Sequence, residues 1–396
     1  MIFTKKDFNF LDLYVTISDV KTILSDKFQI KIDKKNNRIV FSQFSMNASA
    51  ITIIKKDIDP KEEEFQCIFS SGSFNQMIKL IGDDVPIEIT KNQVTFGDAK
   101  YEFKSIDAVF PDVDITINRI ETNQKTNVTK IVDLNKMSHL KFCIGADLIG
   151  LDTVYLTNGY FTASNKVDVA GAVKTNNSPD ISLYFPRIMV DIMSGYKITE
   201  IDLINMDNTD DDEDKGYSNF SYFVLGNSYI ILSKKEYILP NLFDEGIKDS
   251  YNHTYKAVVM KNDIIKKLYR IAIVSQENLF SRIFLSFKIN ELIIESKDNG
   301  YGIEKISMTI DKEIQGRNLI LSAKFLSQIL DQFTDKEEIS IYIPTDNEGI
   351  AIMIKSNLDD KFYIHMIYTD YELEDKIITV DNKDDNETIK MVLNDE

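Results

Sequence analysis

A recurrence of about 128 residues is the feature of this sequence that most constrains its fold. Helical patterns open near Lys5, Asp133 and Lys261, and each start lies 128 residues after the previous one. A second helical pattern follows in every third of the chain. These second patterns begin near Ser73, Arg187 and Ala323. Three thirds with the same order of helices predict three similar domains within the 396 residues.

Short strand patterns lie between the helical ones. Residues 28–32 and 38–41 alternate apolar with polar side chains around a polar turn, which predicts an antiparallel hairpin. The same arrangement recurs at 85–89 with 93–96, at 283–287 with 292–295, and at 339–343 with 350–354. Residues 11–18 suit either a helix or a strand. Hairpins together with two helices per third predict the α+β class, with two helices packed on antiparallel sheets in each domain.

Polar segments mark the expected domain boundaries. Candidate linkers are residues 118–125 and 245–254. The expected domains comprise residues 1–124, 125–252 and 253–396. Another polar run, residues 207–215, is typical of a solvated loop, because it lacks the glycine and the closing glutamate of a calcium-binding EF-hand. The acidic stretch from about residue 370 predicts a mobile C-terminal tail.

The composition limits where the protein works and what it binds. No run approaches the roughly 18 apolar residues that a membrane helix needs, and the N-terminus lacks the apolar stretch of a secretory signal. We therefore expect a cytoplasmic protein without a membrane partner, in which Cys67 and Cys143 are buried and reduced. The net charge of −17 argues against a protein whose whole surface coats nucleic acid, but it allows a small basic surface inside an acidic shell.

The sequence offers no concentrated set of catalytic or metal-binding residues. The three histidines, His139, His253 and His365, are not spaced from one another or from a cysteine as metal ligands are. No glycine-rich phosphate loop and no nucleophile elbow is present. We therefore predict no catalytic residue, no metal site and no cofactor, which favours a binding protein over an enzyme. The alternative, a cytosolic hydrolase with paired carboxylates, stays open and would need a deep cleft with raised carboxylate pKa values.

Cationic side chains recur on the polar faces of the helices. In the helix that carries Ile264 and Leu268, Lys266 and Arg270 lie opposite the apolar face, at about 100° per residue. Any one of these side chains is ordinarily part of a solvated helix surface. A functional surface requires all of them on one side of the molecule. The candidates for this basic surface are Lys79, Lys136, His139, Lys266, Lys267, Arg270 and Lys324.

Several short motifs together resemble a known family. They are Phe110-Pro111-Asp112 after a hairpin, residues 161–165 followed by Ala170, Tyr184-Phe185-Pro186-Arg187, Ile231-Leu232-Ser233-Lys234 followed by Leu239-Pro240-Asn241, and Ser275-Gln276-Glu277 before Arg282. Their order and spacing across most of the chain are similar to those of the bacterial DNA sliding clamp, the beta subunit of DNA polymerase III.

The resemblance implies a processivity factor that encircles duplex DNA and tethers a replicative DNA polymerase. It implies a homodimer joined head to tail, in which three domains per chain build a six-domain ring that an ATP-driven clamp loader opens. The helices would line the hole, so that the candidate basic residues would face the DNA. The expected contact between subunits joins residues 73–82 of the first domain to residues 299–307 of the third.

The resemblance also implies a groove for a partner peptide between the second and third domains. Its expected lining and near neighbours are Ser164, Val167, Val169, Pro240, Ser322, Phe325, Ile364, Met366 and Tyr368. The sequence departs from the family here, since Lys166-Val167-Asp168-Val169 replaces the family's Gly-His-Arg-Leu and the chain runs on past Met366 to Glu396. Asp168 and Asp244 stand where arginines are usual in the family. We therefore expect a groove that disfavours an acidic peptide and accepts a neutral or basic one.

Overall fold

The structure, a computed structural model, describes most of the chain. The described residues are 1–18, 24–45, 48–91, 93–102, 110–145, 152–165, 168–205, 220–233, 256–275, 282–296, 301–343, 351–356, 361–367, 377–380 and 389–392.

Runs of strands separate the helices along the described residues. The α-helices are α1 (Leu11–Ile17), α2 (Ser71–Leu80), α3 (Asp114–Asn123), α4 (Arg187–Gly195), α5 (Lys261–Ser275) and α6 (Ala323–Leu330), and 3-10 helices cover Lys5–Phe8, Leu134–Cys143 and Lys312–Ile314. The strands of the first half are β1 (Ile2–Phe3), β2 (Lys27–Asp33), β3 (Arg38–Phe44), β4 (Ala48–Lys55), β5 (Gln66–Ser70), β6 (Ile87–Ile89), β7 (Gln93–Phe96), β8 (Ala99–Glu102), β9 (Val128–Ile131), β10 (Thr153–Thr157), β11 (Tyr160–Ser164), β12 (Val169–Lys174) and β13 (Leu183–Pro186). The strands of the second half are β14 (Ile201–Ile204), β15 (Phe220–Leu225), β16 (Ser228–Ser233), β17 (Lys256–Met260), β18 (Arg282–Lys288), β19 (Glu291–Ser296), β20 (Gly302–Ser307), β21 (Thr309–Ile310), β22 (Asn318–Ser322), β23 (Glu338–Tyr342), β24 (Ala351–Ser356), β25 (Lys361–Met366), β26 (Ile377–Val380) and β27 (Ile389–Val392).

The helices begin where the recurrence predicts. The observed starts are Lys5, Leu134 and Lys261 for the first helical segment of each third, and Ser71, Arg187 and Ala323 for the second. Residues 11–18, for which the sequence left two possibilities, form α1. Leu11, Tyr14 and Ile17 are fully buried because α1 packs against α2, α4 and β4.

The first of two compact units comprises residues 1–138, 175–178 and 184–237. It contains an antiparallel sheet in the order β5-β2-β3-β4-β16-β15-β14-β9 and a smaller sheet in the order β1-β6-β7-β8. The large sheet is continuous because β4 pairs with β16, with Ile51 opposite Tyr229. Strands from the first and second thirds of the chain therefore share one hydrogen-bonded ladder.

The second unit comprises residues 139–174, 179–183 and 238–396. Its large antiparallel sheet includes, in order, β10-β11-β12-β25-β24-β23-β17-β21, and its smaller sheet has the order β20-β19-β18-β22. Here β12 pairs with β25, so that Ala170 lies opposite Ile364. The second and third thirds of the chain are thus joined in the same way as the first and second. The α+β class with helices on antiparallel sheets is confirmed, whereas the three domain boundaries stay a prediction.

A cluster of phenylalanines fills the core of the first unit. Phe8, Phe28, Phe41 and Phe74 are at most 2% exposed. The ring centroids of Phe8 and Phe28 each lie 5.4 Å from that of Phe74, in tilted or edge-on contact. Aromatic pairs at this separation stabilise a core beyond the area that they bury. Because Phe74 belongs to α2, this cluster fixes α2 on the sheet.

The helix α3 lies where the sequence predicts a linker at residues 118–125. Ile117 and Ile120 are fully buried in an apolar cluster that includes Ile51 and Tyr222 of the large sheet. Tertiary burial of one helix face stabilises a short helix that its own polar residues would not maintain. The predicted linker is therefore wrong over most of its length.

The predicted C-terminal tail also contains regular structure. β26 and β27 form an antiparallel hairpin in which Ile377 lies opposite Val392. Both strand sequences are rich in the β-branched residues that favour strands. Eight residues of the expected tail thus form a hairpin, and the mobility of the tail stays a prediction.

Candidate DNA and peptide interfaces

The helical segments of the recurrence carry positive charge although the chain is acidic. These segments are Lys5–Phe8, α1, α2, Leu134–Cys143, α4, α5 and α6. They contain eleven lysines and arginines and four aspartates, which gives a net charge of +7. The remaining residues hold 35 of the 46 cationic and 59 of the 63 acidic side chains, a net charge of −24. Positive charge is therefore concentrated in these helical segments, and negative charge in the rest of the chain.

The helix α5 carries the densest group of cations. Ile264 and Leu268 are fully buried on one side of α5, and Lys266 is exposed on the other. The Arg270 side chain is 62% exposed, and its Nε atom lies 3.0 Å from Glu304 Oε1. The ammonium group of Lys267 donates to the backbone carbonyl of Lys305. The exposed side of α5 thus combines the cations with the apolar side chains of Tyr269 and Ile273, and one guanidinium is partly neutralised by a carboxylate.

Two other predicted cations also pair with acidic side chains. Lys79 Nζ lies 2.6 Å from Asp12 Oδ1, and both side chains are more than half exposed. Lys136 Nζ lies 3.2 Å from Asp133 Oδ2. The exposed pair of Lys79 and Asp12 is screened by solvent, which leaves this lysine able to exchange partners. Lys324 is exposed, and its Nζ atom lies 5.8 Å from the ring centroid of Phe325.

The imidazole of His139 is half-buried. Its Nδ1 atom lies 3.1 Å from Gln332 Oε1. Its backbone carbonyl accepts a hydrogen bond of 3.3 Å from the hydroxyl of Tyr363 on β25. Both contacts hold the 3-10 helix Leu134–Cys143 to its neighbours within the second unit.

The described groove residues lie on β25 or pack against one of its two faces. Successive residues of a strand point to opposite faces of the sheet, so Ile364 and Met366 share one face and His365 takes the other. On the first face, Ile364 packs with Ala170, with the half-buried Met366 against the same apolar cluster. Ser164 lies opposite Ala170 and is 3% exposed.

On the second face, His365 contacts two backbone carbonyl groups. Its Nδ1 atom lies 2.8 Å from the carbonyl oxygen of Met366, and its Nε2 atom lies 3.2 Å from that of Ser322. The ring of Phe325 meets the imidazole edge-on at 6.2 Å between centroids. The register places Val169 opposite His365. Burial lowers the pKa of His365 below its usual value of 6.5, although both carbonyl contacts oppose the change.

Ser322 begins the helix that carries Phe325. The Ser322 hydroxyl accepts a hydrogen bond of 3.4 Å from the backbone N–H of Phe325. This contact satisfies one of the helix donors that would otherwise lack a partner. The serine hydroxyl and its carbonyl therefore link α6 both to its own first turn and to His365.

The loop before β12 is held by Asn165. The Asn165 Oδ1 atom accepts hydrogen bonds from the backbone N–H groups of Asp168 at 2.8 Å and Val169 at 3.0 Å. The carbonyl of Asp168 in turn accepts a 2.9 Å hydrogen bond from the N–H of Met366. Asp168 therefore lies beside the end of β25, where the sequence predicts an acidic replacement for an arginine.

The structure places six of the nine predicted groove residues in the second unit, with Val169 and Phe325 on the His365 face of β25 and with Ile364 and Met366 on the opposite face. These six are Ser164, Val169, Ser322, Phe325, Ile364 and Met366. The other three, Val167, Pro240 and Tyr368, fall outside the described residues, as does Asp244. Sequence reasoning did not assign His365 or Asn165 to the groove. The alternation of β25 could have indicated that His365 faces away from Met366, but only the fold identifies Ser322 as its partner.

Solved structures with the same fold are bacterial sliding clamps. A sliding clamp from Pseudomonas aeruginosa matches with a TM-score of 0.71 and 12% identity, over 93% of this chain and 99% of that one. A polymerase III beta protein from Caulobacter crescentus matches with a TM-score of 0.72 and 11% identity over the same shares. A putative polymerase III beta subunit from Eubacterium rectale matches with a TM-score of 0.71 and 14% identity, again over 93% and 99%. The chain has the sliding-clamp fold. No protein-family model and no curated protein matches its sequence.

Among the described strands, β1, β8, β20 and β22 lie at the edges of the two smaller sheets. β8 ends the sheet β1-β6-β7-β8, and β20 ends the sheet β20-β19-β18-β22. Exposed apolar side chains lie on β8 and β20 and on the helices α2 and α5. Among them are Leu80 at 87%, Tyr101 at 47%, Ile273 at 67% and Ile303 at 46% exposure. Edge strands with exposed apolar neighbours are available for pairing with another chain.

The carboxylates of this chain give no support to the hydrolase alternative. Where a described carboxylate has a shifted pKa, the shift is downward. The hydrogen bond from Lys79 lowers the pKa of Asp12, and the hydrogen bond from Lys261 lowers that of Asp335. Burial raises the pKa of Asp33, but hydrogen bonds from neighbouring donors outweigh it. Within the described residues, no group of three potential metal ligands occurs and no helix is long and apolar enough to cross a membrane.

Proposed function

We propose that two copies of this chain close head to tail into a ring around duplex DNA and tether a DNA polymerase to its template. The observation that carries the proposal is the charge separation of a chain with the sliding-clamp fold. A ring holds DNA by topology, so its phosphate contacts can be weak, independent of sequence and sensitive to salt. Such a protein has no need of turnover, and it acts as a scaffold rather than as an enzyme.

The distribution of charge fits this role. The helical segments of the recurrence have a net charge of +7, whereas the remaining residues have −24. Helices that line the hole would attract phosphates, while an acidic exterior would repel DNA from the wrong face. The proposed DNA contacts are Lys79, Lys136, His139, Lys266, Lys267, Arg270 and Lys324. Among these, Lys79, Lys266, Arg270 and Lys324 are exposed, which supports the assignment.

The open strand edges support closure of the ring. Within the chain, β4 joins β16 and β12 joins β25 as antiparallel edge pairs. A pair between β8 of one copy and β20 of the next would repeat this joint at each subunit contact. Leu80, Ile273 and Ile303 would lose their exposure in it. The expected contact between residues 73–82 and 299–307 lies in the same two regions.

We further propose that the groove around Met366 and Phe325 takes a short peptide from the polymerase and from the loader that opens the ring with ATP. The half-buried side chains of Met366 and Phe325 are suited to leucine and phenylalanine anchors. Asp168 beside Met366 would favour a neutral or basic peptide over an acidic one.

Covalent closure of the ring tests the proposal without a loader. A Tyr101→Cys, Ile303→Cys variant is mixed with nicked circular DNA and oxidised, and the complexes are then denatured in detergent. If the ring encircles DNA, the cross-linked dimer stays with the circle and is released when the DNA is cut once. The same variant oxidised before DNA is added is the matched control and should not be retained. Release of the cross-linked dimer from intact circles contradicts the proposal.

A further inference from the structure

We propose that His365 is a positioning residue of the peptide groove: its imidazole fixes the end of the strand that carries Met366 against the start of the helix that carries Phe325. This inference rests on the proposed groove and assigns a role to a residue that the peptide itself need not touch.

The contacts of His365 join the two groove anchors. One ring nitrogen lies 2.8 Å from the carbonyl oxygen of Met366, and the other lies 3.2 Å from that of Ser322. Ser322 is the residue before α6, and its hydroxyl accepts the N–H of Phe325. The imidazole therefore contacts the backbone at the end of β25 and at the start of α6. It also packs edge-on against the ring of Phe325.

Burial makes these contacts effective. His365 is fully buried, so that solvent does not compete for its two partners. A neutral imidazole carries one N–H, and its other nitrogen is an acceptor. The shorter of the two distances assigns the N–H to Nδ1, which donates to the carbonyl of Met366. Nε2 is then an acceptor 3.2 Å from the Ser322 carbonyl oxygen and makes no hydrogen bond with it, so the link to α6 comes from the edge-on packing of the imidazole against Phe325.

The conformation of Met366 depends on this hydrogen bond. Its carbonyl faces Nδ1, and its own N–H donates to the carbonyl of Asp168 at 2.9 Å. Both polar groups of the Met366 backbone are therefore held before a peptide arrives. Preformed anchors bind more tightly because less ordering accompanies binding.

Three substitutions separate positioning from simple loss of core packing. His365→Phe keeps an aromatic ring but removes the donor. His365→Asn places an amide nitrogen where Nδ1 lies and restores the donor to Met366. Tyr363→Phe is the matched control, since it removes a buried hydroxyl from the same face of β25 whose partner is His139.

The test measures binding of a fluorescent synthetic peptide, acetyl-Lys-Gln-Leu-Leu-Leu-Phe-Lys, to the full-length protein by anisotropy. We expect His365→Phe to weaken binding at least tenfold, and His365→Asn and Tyr363→Phe to bind within about threefold of the wild type. Nitrogen NMR of the imidazole should show the Nδ1–H tautomer.

The possible failures are distinct. If the wild type does not bind the peptide, the proposed groove is wrong and this inference falls with it. If the wild type and His365→Phe bind equally, the groove stands and His365 has no positioning role. If Tyr363→Phe weakens binding as much as His365→Phe does, the effect is general loss of packing, which also overturns the inference. An Nε2–H tautomer overturns the assignment of the donor.

Discussion

Gly171 lies directly against Tyr363 in the joint between β12 and β25. The two residues are opposite each other in the ladder, and a Cβ atom at Gly171 would come within 2.8 Å of the Tyr363 ring. It would also come within 2.7 Å of Leu140 Cδ2. The absence of a side chain at this position therefore lets the 3-10 helix Leu134–Cys143 and the tyrosine pack closely over the joint.

A methyl group at this position should destabilise the second unit. We expect Gly171→Ala to lower the free energy of unfolding by about 1–3 kcal/mol, because the surrounding side chains have no space for it. A Cβ atom added to Gly72 in α2 would meet no atom within 4 Å, so Gly72→Ala is the control and should leave stability unchanged or raise it. Urea denaturation followed by circular dichroism measures both. If Gly171→Ala were as stable as the wild type, the side chains around the joint would repack without loss of stability.

Arg38 is a buried cation that ties α3 to the sheet of the first unit. Its side chain is 4% exposed, with Nε 2.7 Å from Asp33 Oδ2 and NH1 3.9 Å from Glu121 Oε1 of α3. We expect Arg38→Met to lower the free energy of unfolding by about 3 kcal/mol, because the substitution leaves the buried carboxylate of Asp33 without its cationic partner. The exposed pair of Lys130 and Glu200 is the control, and Lys130→Met should have no measurable effect. A small change in the free energy of unfolding of Arg38→Met would mean that water hydrates the carboxylates in place of the guanidinium.

His365 should make stability depend on pH. Burial holds its folded pKa below 6.5, so between 6.5 and that lower value the unfolded chain binds a proton that the folded chain does not. Stability is then lost as the pH falls through this window, by at most about 1.4 kcal/mol per pH unit. The carboxylates of Asp12 and Asp33 have pKa values lowered from 3.8, so they contribute only at more acidic pH.

The measurement is the free energy of unfolding at pH 7.5, 6.5 and 5.5 for the wild type and His365→Asn. The advantage of the wild type should shrink as the pH falls. A constant difference between the two proteins across these pH values would rule out a neutral buried imidazole.

Charge reversal on α5 should reduce retention on DNA. We expect Lys266→Glu, Arg270→Glu rings to dissociate from linear DNA ends at lower salt than wild-type rings, because phosphate contacts are replaced by repulsion. The control is Lys35→Glu, Lys61→Glu, which makes the same change in net charge at two exposed residues outside the helices. Surface-bound DNA with one free end gives dissociation rates at each salt concentration. Identical salt dependence of the two variants would remove α5 from the DNA interface.

The subunit contact should be sensitive to charge on its exposed apolar residues. We expect the wild type to have twice the mass of the 45.5 kDa chain at micromolar concentration. Leu80→Asp, Ile273→Asp should be a monomer, because burying two carboxylates in an apolar contact is unfavourable. Ile115 on α3 is 58% exposed and away from both strand edges, so Ile115→Asp is the control. Sedimentation velocity distinguishes these species, and a dimeric double variant would place the contact elsewhere.

Sequence alone predicted the helices and strands in which apolar residues recur at regular spacing. The starts of the paired helices and the hairpin of β2 with β3 follow from the spacing of apolar residues. The helix α3 was missed because only Ile117 and Ile120 mark its buried face, while polar residues between them are typical of a linker. Its stability comes from the sheet beneath it, which local sequence does not encode.

Some features of the candidate sites could also be predicted from the sequence, and others could not. The exposed position of Lys266 on α5 follows from helical geometry, but the carboxylate partner of Arg270 does not, since Glu304 belongs to a distant strand. His365 was recognised only as a histidine without metal-ligand spacing. Its environment depends on the carbonyl of Ser322, which the packing of α6 against β25 brings within 3.2 Å.

The joints at β4–β16 and β12–β25 imply that the unit of folding is larger than the unit of repetition. Each joint takes an edge strand from one third of the sequence and completes it with a strand from the next. A fragment cut at residue 124 or 252 would expose ladders of backbone donors and acceptors that the intact chain satisfies internally. Isolated thirds should therefore aggregate rather than behave as autonomous modules. The three thirds are consequently inherited together. Evolutionary replacement of one third would have to preserve the strand edges that pair with its neighbours as well as its own core.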